Sequence, residues 1–490
     1  MCEGVAMQTT EIIIQNIVKE VLSQMTQTNA TSCQNSQNSL VASQNQTKNQ
    51  TNPNNKKSLK GVFPVMEQAI TSAKESQLII KAMTLEQREK IIANIRAMTL
   101  ENAETFAHMA VEETGMGNVE HKILKHRLTA EKTPGTEDIA TKVLHGDKGL
   151  SIVKMTPFGV IGAITPSTNP SETIICNTIG MLAGGNTVVF NPHPGAINTS
   201  LYAVDMINRA SLASDGPGNI ACAVESPAAH SSELLMKHKD IALLVATGGP
   251  GLVDAVLSSG KRGIGAGAGN PPVLVDETAA LRKAAEDIIN GCTFDNNLPC
   301  IAEKAIVAVD SIADELMRLM IREQGCYQAT EVEIAKLQEL VFTQKGLNRL
   351  CVGKSAAALL NMIGVAAPQN VRCIVFEGEK EHPLIAEELM MPILGMVRAS
   401  NFEAAVEKSL WLEQGYRHSA HIHSKNIDRL EFYENVMDTA ILVKNAPSYA
   451  ALGFGGNGFC TFTIASRTGE GLTSAATFTK ERRCVTGGNL

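Results

Sequence analysis

A regular alternation between residues 158 and 257 constrains this chain more than any other feature. Gly159-Val160-Ile161-Gly162-Ala163-Ile164 is a short apolar run bounded by turn residues, the pattern of a buried strand. Thr165-Pro166-Ser167-Thr168-Asn169-Pro170 follows as a loop, 171–183 reads as a helix, Gly184-Gly185-Asn186 as a turn and 187–190 as the next strand. A helix over 199–211, a strand over 241–246 and a helix through Leu257 complete the series. Strands that alternate with helices pair in parallel, because each return needs a crossover. The segment therefore predicts a doubly wound α/β sheet, with ligands at the carboxyl ends of its strands. Thr247-Gly248-Gly249, at the start of a helix, offers backbone N–H groups to a phosphate or ribose.

Length calls for more than one such unit: 490 residues exceed the usual domain of about 100–200. A second α/β segment is legible in strands near 304–309, 374–376, 393–398 and 419–423, with helices over 311–324 and 331–340. Thr84 and Thr99 read as helix start signals, Thr84 ahead of Gln87 and Thr99 ahead of Asn102. Residues 141–157 read as a hairpin around His145-Gly146-Asp147-Lys148-Gly149.

A net charge of −7 and only 4% aromatic residues argue against nucleic acid. No run of about 18 apolar residues predicts a membrane span. Eleven cysteines without CxxC pairing suit a reducing compartment and no zinc ribbon. His418, His421 and His423 lack a metal-ligand signature, so no metal is expected there, and surface or pocket-lining histidines are the reading preferred.

Chemistry gathers in two stretches. Asn296-Asn297-Leu298-Pro299-Cys300 sets a lone thiol behind a proline and two amides, after a helical run over 279–292. Upstream, Gly263-Ile264-Gly265-Ala266-Gly267-Ala268-Gly269-Asn270-Pro271-Pro272 reads as a glycine-rich turn that lets something approach the backbone closely. The bland reading of Cys300 is a buried structural thiol; the chemical one is a nucleophile.

The amino-terminal stretch differs in kind. Residues 10–25 carry Ile14, Ile17, Val18, Val21, Leu22 and Met25 on one helical face. Residues 26–57 are a tract of Asn, Gln, Ser and Thr that reads as a flexible linker. A short apolar-faced helix on a long leash has the form of a docking tag.

Taken in order, Thr156-Pro157-Phe158-Gly159-Val160-Ile161-Gly162, Thr165 to Asn169, Asn191-Pro192-His193-Pro194-Gly195, Ala246-Thr247-Gly248-Gly249, Gly265 to Pro272, Asn297-Leu298-Pro299-Cys300 and Glu387-Glu388-Leu389-Met390-Met391-Pro392 resemble the aldehyde dehydrogenase superfamily. The likeness is strongest to its CoA-acylating branch from bacterial microcompartments, the propionaldehyde and acetaldehyde dehydrogenases. It runs from Phe63 to the C-terminus. It implies an aldehyde dehydrogenase-like α/β fold: a Rossmann-type cofactor domain (58–269, with the hairpin at about 141–157), an α/β catalytic domain (270–450), and a C-terminal return (451–490) whose strand joins the hairpin in a β oligomerisation arm. A homo-dimer or tetramer follows from it. Residues 1–25 would be the encapsulation helix, 10–25 binding microcompartment shell or core proteins, 26–57 its linker, and the microcompartment lumen the location.

The resemblance also assigns roles. Cys300 would attack a short-chain aldehyde, propionaldehyde or acetaldehyde, to give a thiohemiacetal and then a thioester. Asn169, with the Cys300 backbone N–H, would hold the oxyanion. Thr165, Pro166, Thr247, Gly248, Gly249, Gly265, Asn191 and Glu388 would contact NAD, with Glu388 on the nicotinamide ribose. NADP stays open, since Asn191 stands where the family has lysine and Gly195 where an acidic ribose contact is frequent. Hydrolytic members carry a glutamate near Gly265; this chain has no carboxylate between residues 263 and 269. Coenzyme A, a thiol, then becomes the expected acceptor of the acyl group. Two alternatives stand beside this: a non-acylating aldehyde dehydrogenase releasing free acid, with His418 or His423 as base, and a catalytically idle scaffold.

Overall fold

A computed structural model describes residues 58–344 and 346–488. The helix and linker expected over residues 1–57 lie outside the described residues.

Two parallel sheets carry the molecule. The first has six strands in the spatial order Val62–Phe63, Ala221–Val224, Thr187–Pro192, Val160–Thr165, Ile241–Thr247, Gly263–Ala266, and every pairing is parallel. The two central strands are buried at every residue. Helices cover both faces, which is why these strands are continuous apolar runs and not alternating ones. Helix Pro170–Ala183 is buried along its whole length. Such a helix has no solvent stripe, and its apolar composition follows.

The second sheet has seven strands, in the order Cys326–Gln328, Cys373–Glu377, Ile393–Ala399, Ala305–Val309, Pro272–Val275, Ser419–His423, Ile441–Lys444. All its pairings are parallel too. A third, antiparallel sheet joins Lys142–Gly146 and Gly149–Pro157 to the strand Thr479–Gly487.

Several local expectations need correction. Gly263–Ala266 is the edge strand of the first sheet and not part of a turn. Four short strands of the two parallel sheets, Val62–Phe63, Ala221–Val224, Cys326–Gln328 and Ile441–Lys444, have no counterpart in the sequence reading. Thr84 does start its helix, in a reciprocal capping box with Gln87. Thr99 does not: it lies inside helix Leu85–Glu101, where its hydroxyl donates back to the Ile95 carbonyl at 2.7 Å.

Candidate active site

Cys300 sits on a loop built from unusual backbone. Helix Leu281–Thr293 ends, and Asp295, Asn296 and Asn297 follow with φ of 49°, 53° and 67°. Three successive non-glycine residues in the left-handed region are costly, and Asp and Asn tolerate it best. Each is pinned. Asp295 Oδ1 accepts from the Asn118 N–H at 2.8 Å, and Asn296 Nδ2 donates to the Gly353 carbonyl at 2.9 Å. Asn297 Nδ2 donates to the carbonyls of Cys292 and Glu303 at 2.8 and 3.0 Å. The amides ahead of the cysteine are therefore the apparatus of its turn.

Of the free cysteines described, all are buried except the partly exposed Cys300 and the exposed Cys484. Burial pushes the Cys300 thiol up to about 12, the Glu388 carboxylate adds to the shift, and Lys304 opposes it. Desolvation likewise pushes Glu388 up to about 7, against Lys304 and the Gly269 backbone N–H. Thiol, carboxylate and ammonium thus form one electrostatic group. Cys300 packs against an apolar cluster that includes Leu128, Cys176, Ile301, Cys460 and Phe462, and the partly buried Phe454 packs against the same cluster. Leu128 and Phe454 also line a surface cleft of about 360 Å³ with Gly453, Gly455 and Gly456. An apolar wall beside a thiol suits a small aliphatic substrate.

Asn169 arrives from the other sheet. It follows strand Val160–Thr165 and occupies the N-cap position of helix Pro170–Ala183, yet its side chain makes no capping bond. An asparagine there normally caps. Its Oδ1 instead accepts from Lys125 Nζ at 2.5 Å, and Lys125 pairs with Asp295 Oδ2 at 2.6 Å, on the loop of Cys300. One lysine thus joins Asn169 to Asp295 on the loop that carries Cys300. Nothing in the sequence pointed to Lys125, Glu172, Asp295 or Lys304. The available signal was the spacing of Lys122, Lys125, His126 and Thr129, an inward helical face made of polar residues.

At the carboxyl ends of the first sheet, the Thr165 hydroxyl is buried without a hydrogen-bond partner among the described residues. Pro166 follows it, half-buried. Gly249 caps helix Pro250–Leu257, and nothing lies within 4 Å of where a Cβ would stand at Gly249 or Gly251. A buried orphan hydroxyl and an open glycine backbone at a helix start fit a dinucleotide. Thr247 and Gly248 are already engaged, Thr247 with Thr463 at 2.9 Å and the Gly248 N–H with the Ala266 carbonyl at 3.1 Å.

Asn191, expected as a cofactor contact, is engaged by two serines. Its Oδ1 accepts from Ser231 and its Nδ2 donates to Ser232, both at 2.6 Å, and the residue is 2% exposed. Its side chain fastens helix Ala229–Lys237 to the sheet. Gly265 also differs. It lies within the edge strand, where a Cβ would stand 2.5 Å from Val253 Cγ1.

The three histidines are buried, not on the surface. His421 Nε2 donates to the Ile301 carbonyl at 2.9 Å, one residue past the nucleophile. The ring of His418 lies against Gly269, where a Cβ would come within 2.7 Å of it, and its Nε2 has no partner among the described residues. Burial pushes His418 and His421 down to about 4 and His423 to about 3, so all three are neutral near pH 7. Among the described residues no group of His, Cys, Asp and Glu could hold a metal ion, and no helix is long and apolar enough to cross a membrane.

Asn169, at the end of the first sheet, and the loop of Cys300, ahead of the second, are thus joined through Lys125 and Asp295. The chain belongs to the aldehyde dehydrogenase family, whose sequence pattern matches residues 41–475. The CoA-propanoylating propanal dehydrogenase of Citrobacter freundii is 45% identical over 87% of this chain and 92% of its own length. A solved propionaldehyde dehydrogenase from the Clostridium phytofermentans fucose utilisation bacterial microcompartment is 72% identical, with a TM-score of 0.87 over 88% of this chain and 99% of that one. The Rhodopseudomonas palustris propionaldehyde dehydrogenase, solved with bound CoA and an acylated cysteine, is 49% identical, with a TM-score of 0.86 over 87% of this chain and 98% of that one.

Proposed function

We propose that this protein oxidises a short-chain aldehyde, propanal or ethanal, with NAD and transfers the acyl group to coenzyme A. Cys300 attacks the aldehyde carbonyl, and the oxyanion of the thiohemiacetal is held by Asn169 Nδ2 and the Cys300 N–H. NAD, when bound, supplies the oxidant that takes the adduct to a thioester. Thr165, Pro166 and the 247–249 turn would hold it, and Glu388 its nicotinamide ribose. Coenzyme A then attacks the thioester on Cys300, and Cys300 departs as the leaving thiol. Leu128, Ile301 and Phe462 keep water from the adduct while it waits.

The observation that carries acyl transfer over hydrolysis is the segment 263–269. It holds no carboxylate, and position 265 is closed by Val253. His418, neutral with an unpartnered Nε2 beside Gly269, is the group set to receive a proton. An imidazole held that low does little for water, whose pKa is about 15.7, but a thiol near 8.5 needs far less help. Products of propanal oxidation, identified by mass spectrometry with and without coenzyme A, test this. Propanoyl-CoA is expected; sustained NADH formation with free propanoate and no coenzyme A would sink it.

We also assign residues 10–25 to docking on microcompartment shell or core proteins, in the lumen. The support is their amphipathic face and polar leash and the microcompartment source of the 72% identical relative. Deleting residues 1–57 should leave activity intact and abolish co-purification with shells; a truncated enzyme still found in shells refutes the assignment. Self-association through the antiparallel arm is supported by Val143, Leu144 and Val485, which are 53%, 61% and 71% exposed.

A further inference from the structure

Helix Val119–Lys132 turns lysines inward where an amphipathic helix normally turns leucines. Lys122, Lys125, His126 and Thr129 share its buried face. An ammonium out of water needs a partner for its charge and for each of its three protons. Lys125 has partners of both kinds. Its Nζ donates to Asn169 Oδ1 at 2.5 Å, and its charge faces Asp295 Oδ2 at 2.6 Å and Glu172 Oε1 at 3.0 Å. One amide oxygen and two carboxylates thus surround the ammonium. Lys122 sits 3.0 Å from the same Asp295 oxygen. Two lysines and two carboxylates leave the cluster neutral, and Asp295 and Glu172 outweigh burial to keep Lys125 charged.

The consequence falls on Asn169. An ammonium has no acceptor, so only the amide oxygen can face it; the flipped amide would set NH₂ against NH₃⁺. Nδ2 is thereby locked to the opposite side. Its one contact there is a long bond to Thr168 Oγ1 at 3.3 Å, which leaves an N–H for an oxyanion. A cation on Oδ1 also draws charge through the amide and strengthens Nδ2–H as a donor. Through Asp295, five residues before Cys300, the same ammonium ties that donor to the loop of the nucleophile.

We propose that Lys125 is a positioning residue for acyl transfer, fixing and polarising the Asn169 amide as oxyanion donor and holding it in register with Cys300. The proposal rests on the reading of Cys300 and Asn169 given above.

A double-mutant cycle between Lys125→Met and Asn169→Ala tests it. Because Lys125→Met alone strands the buried Glu172 carboxylate, the cycle is also run with Glu172→Gln in every arm, which leaves Lys122 and Asp295 as a neutral pair wherever position 125 is methionine. Loss of an oxyanion donor lowers kcat by about 100- to 1,000-fold, and Lys125→Met should lose at least tenfold of that. KM for NAD and for coenzyme A should stay within about twofold, since Lys125 touches neither site. With Ala at position 169, the further loss from Lys125→Met should shrink below about twofold. Equal losses in both backgrounds would overturn the role of Lys125 and leave Asn169 standing. Full activity in Asn169→Ala would overturn the reading of Asn169, and the proposal with it.

Discussion

Three buried lysines, Lys122, Lys125 and Lys304, meet the loop that carries Cys300, and the last two are held in opposite ways. Lys125 is paired with Asp295 and Glu172, and its charge is secured. Lys304 has only oxygens without formal charge: Asn297 Oδ1 at 2.5 Å, the Asn297 carbonyl at 2.9 Å and a long approach to Pro299. Burial lowers its pKa, and Glu388, Cys292 and Cys300 oppose that through space. A paired ammonium makes a fixed brace, so the Asn169 side of the site is geometry. An unpaired one makes an adjustable field, so the Glu388 side sets ionisation. Charge that must not move is neutralised locally, and charge that must act on a neighbour is left uncompensated.

The largest expected effect is on stability. Lys125→Met leaves the buried Glu172 carboxylate without its ammonium and Asp295 with Lys122 alone, a loss of about 3–5 kcal/mol. Lys304→Met leaves carbonyl and amide oxygens without a donor, about 1–3 kcal/mol. Urea midpoints should therefore fall further for Lys125→Met, and the reverse order would break the comparison.

Next comes ionisation of the thiol. The Glu388 carboxylate repels the Cys300 thiolate, and Lys304 attracts it. Glu388→Gln should lower the thiol from about 12 and Lys304→Met should raise it further. The rate of alkylation by iodoacetamide against pH reads this directly: its midpoint moves down for the first variant and up for the second. With Lys125→Met paired to Glu172→Gln it should stay in place. A large shift there would mean that the brace also tunes the thiol.

The smallest effect concerns the cofactor end. Thr165→Val removes a hydroxyl with no hydrogen-bond partner among the described residues. It should leave the unfolding midpoint unchanged and weaken NAD by about 0.5–1.5 kcal/mol. Asn191→Ala should do the opposite, lowering stability through the lost serine bonds while KM for NAD holds. Titration of cofactor fluorescence and thermal melts separate the two.

These two residues also mark how far the sequence could be read. The sheet was legible between residues 158 and 257 because buried parallel strands are apolar runs cut off by glycine. Cys300 was legible because a proline and amides set it apart, though the left-handed run at 295–297 appears only in the backbone. Asn191 was expected at the cofactor, and its bonds to Ser231 and Ser232 were not legible, because a side chain at a strand end can as easily hold a helix as a ligand. Gly265 was read for a missing carboxylate, but its contact with Val253 is a matter of packing between distant residues. Lys125 was invisible for a similar reason. A helix bearing three lysines and two histidines reads as solvated, and only tertiary structure brings Asp295, 170 residues onward, and Glu172 to its inward face.

The most direct test is of the covalent intermediate. The enzyme is mixed with propanal and NAD without coenzyme A, quenched, digested and mapped by mass. The expected result is one propanoyl group on the peptide carrying Cys300, stable in buffer and discharged at once when coenzyme A is added. An adduct on another cysteine, no adduct, or one that water removes as fast as coenzyme A would contradict the account.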